Sequence, residues 1–203
     1  TIGDLTVTET GGNSVSITTS GAGTIAVERD INTVATSAEF INTGAITIFD
    51  DFLSTGANHT LTNTGTITTS GSANADILWS GTTPIITNTA PGIITTGRNL
   101  RFNLSCTNAT LTNTGTITVG QNIVMGGTDG TIINAGGTVN VTRHVRFNEA
   151  TGIFNNTGIF NITQNLRSDF VNSTPFVLNS SGTLAITQDF LSSGALATIN
   201  NTG

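Results

Sequence analysis

The sequence predicts an all-β chain, a single-stranded right-handed parallel β-helix that runs through residues 1–203 as one β-solenoid domain of about nine coils. Three observations predict it. The phrase Leu111-Thr112-Asn113-Thr114-Gly115-Thr116-Ile117-Thr118-Val119 returns around Leu61, Phe40 and Phe154, so the chain is an array of repeats. The glycines that precede an alternating apolar pair, from Gly3 through Gly44, Gly65, Gly115 and Gly158 to Gly203, are 20 to 27 residues apart. No stretch shows the i, i+3, i+4, i+7 spacing of an amphipathic helix, while Thr, Ile and Val abound, as strands prefer.

Within one repeat the elements follow in a fixed order. After each glycine comes a strand whose inward pair alternates with small outward residues: Leu5/Val7, Ile25/Val27, Ile46/Ile48, Ile67/Thr69, Ile94/Thr96, Ile117/Val119, Val139/Val141, Phe160/Ile162 and Leu184/Ile186. A bend follows, marked by Asp30, Asp51, Asp76, Asn99, Asn122, His144, Asn165 or Asp189, whose side chains can bond to the backbone. Directly after it comes a second apolar row, Ile31, Phe52, Ile77, Leu100, Ile123, Val145, Leu166 and Phe190. A third row, from Ile17 and Phe40 to Leu178 and Ile199, opens the template phrase, which then turns at Asn42, Asn63, Asn113 and Asn156. One repeat cannot bury three apolar rows alone. Coiled so that each repeat is one turn, equivalent residues stack about 4.8 Å apart and each row becomes a continuous ladder. An antiparallel meander would scatter the Asn-Thr-Gly phrases to opposite strand ends and lose the ladders. The structural ladders are therefore expected at Gly44, Gly65, Gly115 and Gly158, at Asn42, Asn63, Asn113 and Asn156, and at Asn99, Asn122 and Asn165.

The unit length and the Asn-x-Gly-x-Ile phrases resemble the right-handed parallel β-helix shafts of bacterial surface proteins, the filamentous-haemagglutinin and autotransporter-passenger class. The resemblance implies a stiff extracellular or cell-surface rod of structural or adhesive use.

Composition excludes several classes. Charged residues make up 9% of the chain, the net charge is -6 and all six cations are arginine, which argues against nucleic-acid binding. No stretch approaches the roughly 20 apolar residues of a membrane span, so no membrane insertion is expected. A single cysteine, Cys106, cannot form an intrachain disulfide, and no spacing calls for a cofactor.

Four constellations could carry chemistry. Asp30, Asp51 and Asp76 hold matching positions in successive units and are a candidate hard-cation or polysaccharide-cleaving site; asparagine at the same position elsewhere makes bonding to bend amides the simpler role. Arg98, Arg101, Arg143, Arg146 and Arg167 recur beside the second apolar row as a stripe suited to acidic glycans or to the acidic stack of another molecule. The outward Thr-x-Thr pairs form an uncharged array of the kind found on ice-binding solenoids, interrupted by Ala26, Ile93, Asn140 and others, and β-propensity alone accounts for threonine there. His59, His144 and Cys106 accompany no nucleophile motif and receive no catalytic role.

Both ends are in phase with the repeat, with no cap visible in the sequence. Leu5 and Val7 at one end and Ile199 and Asn201 at the other are the expected self-association residues of a head-to-tail homopolymer. The expectation is a non-enzymatic structural protein of a surface fibre. Its alternatives are a glycan-binding adhesin, a polysaccharide lyase or hydrolase, and an ice-binding protein.

Overall fold

The computed structural model describes residues 5–8, 15–20, 24–71, 75–148, 151–169, 175–193 and 197–203. Gly3 and Gly23 of the glycine row lie outside the described residues.

Strands of three to six residues alternate with tight bends, because apolar and polar residues alternate only in runs of that length before Gly, Asn or Asp interrupts. Three strands make one turn. In the central coil they are Thr110–Asn113, Thr116–Val119 and Ile123–Met125. Each strand pairs in parallel with its equivalents one turn earlier and later, giving three sheets of nine, nine and eight strands. The first sheet opens with Leu5–Thr8, the second with Val15–Thr19 and the third with Thr24–Val27. The twenty-six strands among the described residues, at three per turn, make a β-solenoid of between eight and nine turns.

Register matches the apolar rows nearly throughout. Ile67, Ile94 and Ile117 are partners in the third sheet, Leu61, Ile86 and Leu111 in the second, and Ile77, Leu100 and Ile123 in the first. One row is corrected. Leu5 and Val7, expected to stack on Ile25 and Val27, instead pair with Ile31 and Thr33 in the first sheet. A full turn back to the third sheet would need two strands between Thr8 and Thr24. The described residues there hold one, Val15–Thr19, so the opening strand stops short of the third sheet and lies in the first.

The inward residues fill a single core along the axis. Its N-terminal part is aromatic: Phe40, Phe52, Trp79 and His59 meet edge-on with centroids 5.0 to 6.4 Å apart. Parallel sheets are normally covered on both faces. Here the outward faces stay accessible, and threonine, whose β-branched stem suits a strand and whose hydroxyl suits water, occupies much of them.

Candidate functional site

The most ordered polar feature is inside the rod. Asn42, Asn63, Asn88, Asn113, Asn134 and Asn156 are the last inward residues of consecutive second-sheet strands, each 0 to 1% exposed. A buried amide must find partners for two N–H groups and a carbonyl, and the coil supplies them. Each Nδ2 donates to the Oδ1 of the next asparagine at 2.7 to 2.9 Å. It also lies 3.0 to 3.3 Å from the glycine carbonyl of its own turn. The row begins at Thr19, whose hydroxyl donates to Asn42 Oδ1, and passes from Asn156 to Ser180 Oγ at 3.2 Å. All the amides point the same way, donors toward the C-terminus. Of these, Asn88 and Asn134 were missed by the sequence reading. Their glycines, Gly92 and Gly137, come four and three residues later rather than two, which hid the shared position.

The glycines of these turns are spatially enforced. A Cβ on Gly65, Gly115 or Gly158 would lie 2.0 to 2.2 Å from the carbonyl oxygen of the equivalent glycine one turn back.

The bend ladder is present as expected and is half-buried. Oδ1 of Asp30 accepts the backbone N–H of Asp51, Oδ1 of Asp51 that of Asp76, and Oδ1 of Asp76 that of Asn99, at 2.8 to 3.0 Å. Asn99 and Asn122 continue it, His144 Nδ1 accepts from Asn165, and Asn165 accepts from Asp189. The three aspartates thus do what the asparagines do in later coils. Burial first, and then the neighbouring Asp76, Asp30 and Asp50 charges, push the Asp51 carboxyl above its ordinary range against the opposing hydrogen bond from Asp76. Among the described residues no group of three or more His, Cys, Asp or Glu is placed to hold a metal ion.

The arginines occupy two rows rather than one stripe. Arg101, Arg146 and Arg167 project outward from the first sheet in the row that also holds Leu53, Leu78 and Val124. Arg98 and Arg143 sit at the preceding turn, in a row linked by backbone hydrogen bonds through Gln121 to Gln164 and Gln188. The bend residue separates the two rows, so Arg98 and Arg101, three apart in sequence, cannot share one. Asp169 binds Arg146 and Arg167 at 3.1 Å each, and Asp76 lies 3.8 Å from Arg98.

Ser54 and His59 meet in the core, a contact that no sequence motif signalled. The Ser54 hydroxyl donates to Nδ1 while Nε2 donates to the Ala35 carbonyl at 2.8 Å. Both residues are 0 to 1% exposed, and burial holds the imidazole below the ordinary histidine range. The Ser54 hydroxyl keeps its proton and shares it with a neutral ring inside a closed core. Burial raises the Cys106 thiol, whose Sγ lies 3.4 Å from the Trp79 carbonyl, so the thiolate is disfavoured. His144 is lowered by burial and then by Arg167, Arg146 and Arg143.

The Thr faces are real but mixed. Outward positions of the third sheet carry no charged residue from Thr24 to Ala185, and asparagines interrupt the threonines, with Asn161 Nδ2 donating to Asn140 Oδ1 at 2.9 Å. Ile199 on the last described strand is 53% exposed. Leu5 and Val7 are placed by register alone.

Comparison with protein-family models, with curated proteins and with solved structures finds no match to this chain.

Proposed function

We propose that this chain is a non-enzymatic structural protein, a stiff β-solenoid shaft of an extracellular or cell-surface fibre, comparable in design to the repeat shafts of bacterial adhesins. One observation carries the reading: the asparagine ladder and the three parallel sheets run the same way through successive coils. Stability in such an array is a sum over coils and their interfaces, so the object can lengthen without a new core being designed.

A polar, repeating edge also suits end-to-end stacking of copies. A joint that sets Phe190–Ser192 on the Leu5–Thr8 strand of the next copy, and Ala197–Asn201 with its Ile199 on that copy's Val15–Thr19, would continue the first and second sheets. Asn201 already follows Ser180 in register, in the ladder row. Negative-stain electron microscopy across a concentration series tests this. Filaments with a subunit repeat of about 40 Å, eight coils at about 4.8 Å, are expected. Rods of one length at every concentration would overturn end-to-end stacking.

A further inference from the structure

The charges on this molecule are segregated along its axis. Residues 1–97 carry eight carboxylates against Arg29 alone, whereas residues 98–169 carry five arginines against three carboxylates. Much of that charge lies on one side of the rod, the outward face of the first sheet and the bend and turn leading into it. In the first described coils that side presents Glu28, Asp30, Asp50, Asp51 and Asp76, with Arg29 among them in the turn row of Asp50, so it is acidic in sum. Further along it presents Arg98, Arg101, Arg143, Arg146 and Arg167, with Asp169 bound to the last two, and is basic in sum. The outward positions of the third sheet carry no charge at all.

We propose that this face is an interface between two copies of the chain lying side by side and antiparallel. A two-fold contact uses the same patch on both partners, so the patch must complement itself when turned end for end. A face acidic in one half and basic in the other meets that condition. With the two-fold axis between the coils of Asp76 and Arg98, those residues of one copy face their opposites in the other. The coil of Asp50 and Asp51 then meets Gln121 and Asn122, and the coil of Glu28, Arg29 and Asp30, negative in sum, meets Arg143 and Arg146. Parallel pairing in register would instead set carboxylate against carboxylate.

The same face supplies an apolar part. Leu53, Leu78 and Val124 stand in the outward row between the charges, and arginine stems pack well on such residues. The eight strands that overlap about this axis, at about 4.8 Å and a width of roughly 15 Å, give about 600 Å² per copy, at the lower end of specific interfaces. A weak, salt-sensitive dimer follows from that size and charge.

Sedimentation of the chain at low and high ionic strength tests the pairing, with Glu28→Arg, Arg143→Glu and an equimolar mixture of the two. Neither residue belongs to the bend ladder, and circular dichroism checks that each variant keeps the parent fold. The parent is expected to dimerise at low salt and to weaken by about tenfold or more at high salt. Each single reversal is expected to weaken it by a similar factor, and the mixture to recover a heterodimer, since each reversed charge then meets an opposite one. A monomer at every concentration would overturn the proposal. So would a dimer indifferent to salt and to both reversals, a mixture that fails to recover, or arginines that bind an acidic polysaccharide while the chain stays monomeric. Filaments that lengthen without pairing laterally would remove this interface and leave end-to-end stacking standing.

Discussion

Asn63 donates to Asn88 at 2.7 Å although 25 residues separate them, the same contact that Asn42 makes to Asn63 across 21. The coil absorbs the difference outside the strands, and the inward asparagine keeps its place. A position held so closely while the chain around it varies in length is set by energetics. The buried amide finds its partners in its neighbours above and below, in the glycine carbonyl of the turn it closes and in the first carbonyl of the third-sheet strand one turn on.

Replacing Asn113 by leucine removes the acceptor for Asn88 Nδ2 and the donor for Asn134 Oδ1 and the Gly115 carbonyl, all inside the rod. Stranded buried polar groups cost about 1–3 kcal/mol each, so a loss of about 3 kcal/mol or more is expected in urea denaturation. Ser180→Ala, at a point where the row has already passed from amide to hydroxyl, should cost about 1 kcal/mol. Equal losses for the two would mean that the ladder is not cooperative.

Two glycines separate space from backbone conformation. At Gly115 an added methyl would lie 2.2 Å from the Gly92 carbonyl oxygen, so Gly115→Ala must push two coils apart. Gly136 has open space around its Cα but a φ of +83°. Gly136→Ala is expected to cost about 1 kcal/mol, the ordinary penalty of a left-handed residue. Gly115→Ala should cost several times that, read as the shift in denaturation midpoint.

The three-row architecture was legible because each row repeats a strand period and each repeat returns to glycine. The bend ladder was legible for the same reason, down to His144 standing in for asparagine. The lost details were those that spacing does not encode. Leu5 and Val7 obey the strand phrase equally well in either sheet, and only hydrogen-bond register decides between them. Asn88 and Asn134 were hidden by turns one or two residues longer. The arginines read as one stripe because a bend between residues three apart leaves no mark in composition. Ser54 and His59 meet across a corner that periodicity does not describe. Use as a fibre depends on surfaces, where the repeat constrains residue choice least.

Asp51 sits between Asp30 and Asp76 with its carboxyl raised by burial and by those charges. A carboxyl raised in the folded state binds its proton more tightly there than in the unfolded chain. Stability is therefore lost as pH rises from about 3.9, the ordinary aspartate value, through the folded value. Asp51→Asn keeps an oxygen for the Asp76 amide, as Asn99 and Asn122 do for theirs. At neutral pH the variant should gain a few tenths to about 1 kcal/mol, since the site is partly open to solvent. The gain should vanish below about pH 4. A loss at neutral pH that calcium in the parent accounts for would instead restore the cation reading of the row.

His59 makes the opposite prediction in a different range. Its ring is neutral, accepting from Ser54 at Nδ1 and donating to Ala35 at Nε2, with Trp79 against it at 6.2 Å. A proton on Nδ1 would face the Ser54 hydroxyl and an aromatic core, and burial lowers the folded value. Between that value and about 6.5 the unfolded chain binds more protons, so stability falls as pH drops through this window. His144, also lowered, acts in the same direction from a more open site. The denaturation midpoint should therefore decline between pH 8 and pH 5, and His59→Gln, which keeps a donor and an acceptor without titrating, should flatten most of the decline. A variant that loses stability equally at both pH values would show that His59 contributes shape and hydrogen bonds but does not set the acid response.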